Sequence, residues 1–184
     1  MMRLAPALTA LLLATPTLAQ EAPTSAEVFD RFTTRCAEIA ADPEGAVSAA
    51  FGSDLGGGAV TSDKAMLTYQ ERLEFSDDLF AIVFFQREIQ PGGTISFCTF
   101  NLSSFGSAPE LNLADMPDIV AARVEALLGG PVTRAGSGVL QGGEPAQMFR
   151  WTSGEGFPPP RNLNMMQGGN TISLSIGTIE PTAN

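Results

Sequence analysis

Apolar residues recur at intervals of three and four early in the chain. Val28, Phe29, Phe32, Cys36 and Ile39 fall on one helical stripe, with Ser25 ahead of them as the expected N-cap. Asp42-Pro43 ends that helix, and Pro43 suits the first turn of a second, short helix running to about Phe51, with Gly52 as its stop. Beyond the connection Gly56-Gly57-Gly58 the period drops to two. Ala65–Phe75 places Leu67, Tyr69, Glu71 and Leu73 on one side of a strand. Leu79–Ile89 is apolar on both faces at its start, as a central strand is. Thr94–Leu102 alternates, with Ile95, Phe97 and Thr99 opposing Thr94, Ser96, Cys98 and Phe100. Turns at Ser76-Asp77-Asp78 and Gln90-Pro91-Gly92-Gly93 make these three strands an antiparallel meander.

The pattern then repeats in kind. After a Ser-, Gly- and Pro-rich loop from Ser103 to Asn112, Asp115 or Asp118 caps a helix with Ile119, Val120, Val124, Leu127 and Leu128 on its apolar face; Gly129-Gly130-Pro131 stops it. Weaker strands follow at Val132–Leu140 and Pro145–Thr152. Gly154–Gly169 reads as a long loop, and Thr171–Ile179 as a last strand with Ile172, Leu174 and Ile176 on one face. The expected class is α+β, a tandem duplication of a helix and a three-stranded antiparallel sheet, the two sheets sharing one core. A gapless shift of 77 positions supports it: Thr94-Ile95-Ser96-Phe97 falls on Thr171-Ile172-Ser173-Leu174, and Val47–Gly52 on Val124–Gly129. The repeats are expected at 20–106 and 107–184.

The first residues change the picture of where the protein works. Met1-Met2-Arg3, the apolar run Leu4–Ala14 and the small-residue site ending at Ala19 have the layout of a secretory signal peptide over residues 1–19, cut after Ala19. The run is too short to span a bilayer, no cysteine stands at the cut to take a lipid, and no later segment is long and apolar enough to cross. A periplasmic or secreted protein is expected, and in such a compartment Cys36 and Cys98 form one disulfide worth roughly 3–4 kcal/mol. That bridge leaves a question of sidedness: it puts the first helix over the Cys98 side of its strand, whereas Ile95 and Phe97 look like the buried side. A sheet covered on both faces, or a bulge near Cys98, would reconcile the two.

Charge and missing residue types narrow the chemistry. Twenty Asp and Glu against ten Lys and Arg disfavour nucleic acid and anionic membranes. The chain has no His, which removes Ser–His and Cys–His nucleophile pairs and histidine metal sites. Lys64, the only lysine, lacks the Ser of a Ser-x-x-Lys motif. The glycine clusters match no phosphate-binding loop. No cofactor and no metal site are expected.

Two sets of residues remain as candidates. Glu71, Glu74, Asp77 and Asp78 cluster around a hairpin turn, and paired carboxylates can hydrolyse glycosides or hold calcium. Trp151 and the segment after it, with Phe157, Arg161, Met165 and Met166, supply residue types enriched at interfaces. The leading expectation is a non-catalytic periplasmic protein that binds an envelope or secreted protein partner. The alternative is a carboxylate-based hydrolase or a calcium- or carbohydrate-binding protein.

Overall fold

A computed structural model describes residues 22–46, 66–76, 78–104, 111–135, 147–154, 160–168 and 171–181. The expected signal segment 1–19, most of the expected second helix, Lys64, Asp77 and Phe157 lie outside these residues.

Helix α1 spans Ser25–Ala41, with Val28, Phe29, Phe32, Cys36 and Ile39 buried. Its N-cap is Thr24, not Ser25. The Thr24 hydroxyl accepts from the Glu27 N–H while the Glu27 carboxylate accepts from the Thr24 N–H, a capping box that Ser25 cannot form because position 28 is Val. Ser25 is instead the first helical residue, buried, and its hydroxyl donates to Asp115. Helix α2 spans Met116–Leu128, with Pro117 in its first turn and Gly129 closing it at a φ of 75°. Met116, Val120, Val124 and Leu128 form its buried i, i+4 row.

Among the described residues seven strands make one sheet: β1 Met66–Ser76, β2 Leu79–Gln90, β3 Gly93–Ser104, β4 Val132–Ala135, β5 Gln147–Ser153, β6 Arg161–Gly168 and β7 Thr171–Pro181. Their order is β1-β2-β3-β7-β6-β5-β4, antiparallel at every junction. The meander β1–β3 thus meets the second group of strands through β3 and β7, whose eleven register pairs run from Gly93↔Pro181 to Ser103↔Thr171. An α+β fold results. The second group differs from expectation in holding four strands, because β6 lies within the segment read as a loop. The reason is its alternation: Leu163 and Met165 are buried while Asn162 and Asn164 point the other way, so half the strand is amide-bearing and carries no apolar run.

Both helices lie on one face of the sheet. Tyr69, Phe85, Cys98, Ile176, Leu163, Trp151 and Arg134 are successive register partners across all seven strands, and they form one row of that face. A single apolar cluster draws on both helices and on β1–β3 and β5–β7. Each of its large side chains, once fully buried, contributes about 1.5–3 kcal/mol. Cys36 and Cys98 are bonded, with Cα atoms 5.8 Å apart, and tie α1 to β3.

This answers the question of sidedness. Cys98, Phe100 and Leu102 face the helices, and Ile95 and Phe97 face the other way; β3 runs through without a bulge. It also bears on the 77-position match. Phe97 lies on the helix-free face whereas Leu174 is in the core, so a shift of 77 equates residues on opposite faces. The two hairpins close at Gln90↔Gly93 and Gly168↔Thr171, which stand 78 positions apart.

Candidate functional site

Strand alternation sends every second residue to the face away from the helices. In β2 and β3 these residues are Phe80, Ile82, Phe84, Ile95 and Phe97, all half-buried, joined by Ile179 from β7. Phe84 and Phe97 are diagonal neighbours with ring centroids 5.7 Å apart, and the Arg72 guanidinium lies 3.9 Å over the Phe80 ring. Toward β7 and β6 the same face turns polar, through Thr99, Asn101, Ser173, Ser175, Asn162 and Asn164. Hydrogen bonds hold that part: Arg150 Nε donates to Asn164 Oδ1 at 2.7 Å, and Asn164 Nδ2 donates to Asn162 Oδ1 at 3.0 Å and to Ser175 Oγ at 3.3 Å. Among the described elements, neither helix lies over this face, which presents an apolar half and a self-bonded polar half.

The expected interface residues do not come together. Trp151 and Met165 are core residues on the helix side, Trp151 stacked on Phe149 with centroids 5.9 Å apart. Met166 is on the helix-free face beside Met148, which is 41% exposed. Arg161 donates to the Leu128 carbonyl at 3.0 Å, at the end of α2. Phe157 is outside the described residues.

The carboxylates also separate. Glu71 and Glu74 are three apart on a strand and so face opposite ways. Glu74 pairs with Arg72 at 3.3 Å. Glu71 lies under α1 and takes both ends of the Arg35 guanidinium, Nε to Oε1 at 2.5 Å and Nη2 to Oε2 at 2.8 Å. Tyr69 donates to the same Oε2 at 2.6 Å, and Arg35 Nη1 reaches Glu38 at 2.8 Å. Burial, with the neighbouring Glu71 carboxylate, pushes the Tyr69 hydroxyl up to about 12, and the hydrogen bonds to Glu71 hold the Arg35 guanidinium still more firmly charged. Both Glu71 oxygens are engaged, so this cluster pins helix to sheet and leaves no free carboxylate. Among the described residues no group of three or more His, Cys, Asp or Glu is placed to hold a metal ion, and no helix is long and apolar enough to cross a membrane.

Sequence reasoning passed over the Phe80–Phe97 patch because apolar residues on both sides of β2 look like a strand buried twice. It passed over Arg35–Glu71 because the pairing is visible only once α1 is laid on β1. Comparison of the chain with protein families, with curated proteins and with solved structures finds no match.

Proposed function

We propose that this chain is an exported, non-catalytic protein that binds an envelope or secreted protein partner through the apolar half of the helix-free sheet face. One observation carries the reading: Phe80, Ile82, Phe84, Ile95 and Phe97 stand together on a face to which neither described helix contributes cover. Contiguous apolar surface of this kind marks interaction sites, and aromatic side chains are enriched in interface cores. The formal net charge of −10 favours a basic partner.

A photoreactive phenylalanine analogue in place of Phe84 or Phe97 should give one adduct of defined mass in the envelope, reproduced with the purified partner and lost with Phe80→Lys. The same analogue at Glu38 or Glu125, on the helix side, should give none. Equal adducts from both sides, or turnover of a small substrate by the purified chain, would overturn the proposal. Export is checked separately. Protein recovered from the envelope should begin at Gln20 and carry no alkylatable thiol; an unprocessed cytosolic chain with two alkylatable thiols ends that part.

The two halves are also proposed to descend from one duplicated unit, aligned at 78 across the hairpins, which superposes Phe85 on Leu163 and Cys98 on Ile176 with matching faces. In related chains, internal similarity should concentrate at that offset. Similarity that stays at 77 would sink the duplication.

A further inference from the structure

Beside the disulfide, a cleft of about 120 Å³ opens between the C-terminal half of α1, the end of α2 and the central strands β3 and β7. Its walls are apolar: Phe32 and Ala37 from α1, Leu127 from α2, Phe85 and Ile176 from the sheet, and the Cys36–Cys98 bridge itself. Three hydroxyl-bearing side chains line it: Thr33, which donates back to the α1 backbone at Phe29 and Asp30, and Ser96 and Thr178 from the sheet. Ser96 and Thr178 are direct register partners across the β3–β7 junction, and neither hydroxyl has a hydrogen-bond partner among the described residues. Both residues are half-buried, and their hydroxyls are free to bond an outside partner.

The neighbouring positions in that row say what kind. Arg87 of β2 is the register partner of Ser96, and Arg161 of β6 is the register partner of Thr178. The row Leu67, Arg87, Ser96, Thr178, Arg161, Ser153, Val132 therefore carries two arginines and no carboxylate, in a chain where acids outnumber bases two to one. Arg87 is held only loosely, 3.5 Å from the exposed Glu44 carboxylate. Arg161 answers the carbonyl end of α2 through Leu128, which offsets the negative pole that would otherwise repel an anion there. Neither arginine lines the cleft itself, but each stands one strand away from a hydroxyl on the same face, so positive charge flanks two donors able to seat a carboxylate.

We propose that this cleft binds a small amphipathic carboxylic acid, its carboxylate on the Ser96–Thr178 pair between Arg87 and Arg161 and its apolar body against Phe32, Phe85, Leu127 and Ile176. The space limits that body to about one six-membered ring or a comparable short chain, since an apolar cavity of roughly 150 Å³ holds benzene. The site lies on the helix side of the sheet and is independent of the partner-binding face.

Titration of the oxidised full chain with hexanoate and with phenylacetate, followed by amide chemical shifts, tests it. Saturable shifts are expected at residues 33–40, 96–98 and 176–178. Hexanoate should bind about tenfold more tightly than 1-hexanol, and hexylammonium should not bind. Ala37→Leu, an exposed helical change that fills the mouth, should weaken hexanoate about tenfold. Thr178→Val, which removes one hydroxyl at constant shape, should weaken it roughly fivefold. Unchanged melting temperatures establish that both variants are folded, and should Ala37→Leu fail to fold, Thr178→Val and the ligand series decide alone. Absence of saturable binding, equal affinity for 1-hexanol, or indifference to the cleft variants overturns the proposal.

Discussion

Helices α1 and α2 lie on the same sheet face and touch each other, yet they are fastened by different means. Helix α1 carries a capping box, a covalent bond to β3 and a bidentate ion pair to β1. Helix α2 has no side-chain bond at its N-cap, because Asp115 accepts from Ser25 of α1 instead, and it is held by a straight row of buried residues, an exposed Arg123–Asp30 ion pair to α1 and Arg161 at its carbonyl end. The difference follows from what each helix offers. The α1 stripe needs an anchor for a helix whose other side is highly charged, while α2, richer in apolar residues, settles by burial. One helix is thus sensitive to redox state and the other to core volume.

The comparison can be broken most directly at the disulfide. Cys36→Ala with Cys98→Ala should cost about 4 kcal/mol in denaturant unfolding, since the bridge spans 62 positions. It should also abolish any effect of reductant. A loss under about 1 kcal/mol would mean that packing alone holds α1. Next in size, Leu128→Ala at the end of the α2 row should cost about 3 kcal/mol, equally in the presence and absence of reductant. Arg35→Met should cost about 1–2 kcal/mol, because it strands a Glu71 carboxylate that is only 18% exposed. Smallest is the cap: Thr24→Ala should lose about 1 kcal/mol, and Asp115→Ala less through capping, since Asp115 makes no cap bond.

Alkaline pH probes the α1 fastening without mutation. Tyr69 is the only tyrosine in the chain, so the tyrosinate absorbance reports it alone. Its ionisation should be centred near 12 in the folded protein against about 10 when unfolded. The folded state holds the proton longer, so stability present below pH 10 should fall as pH rises toward 12. Tyr69→Phe should flatten that slope. A midpoint at the ordinary value would mean the Arg35–Glu71–Tyr69 contact is not formed in solution.

Much of this fold is legible in the chain, and the rest fails for physical reasons. The α1 stripe is plain because five apolar residues recur at helical spacing, and the meander is plain because turn residues bracket β2. The cap moves by one residue because Thr24 and Ser25 are both good caps and only Glu27, three positions after Thr24, chooses between them. Strand β6 hides because asparagines fill its outer face and prolines precede it. The candidate surfaces are the least legible part. Glu71 and Glu74 look like neighbours until alternation sends them to opposite faces, and the Arg87–Ser96–Thr178–Arg161 row needs four strands in register, information that no local window contains.

Strand β7 comes last in chain order among the described strands and yet occupies the middle seat, with β3 on one side and β6 on the other. A chain synthesised from its N-terminus would therefore expose the inner edge of its early meander until residues 171–181 had followed. The Cys36–Cys98 bond can close well before that moment, locking the first subassembly while it waits for its keystone.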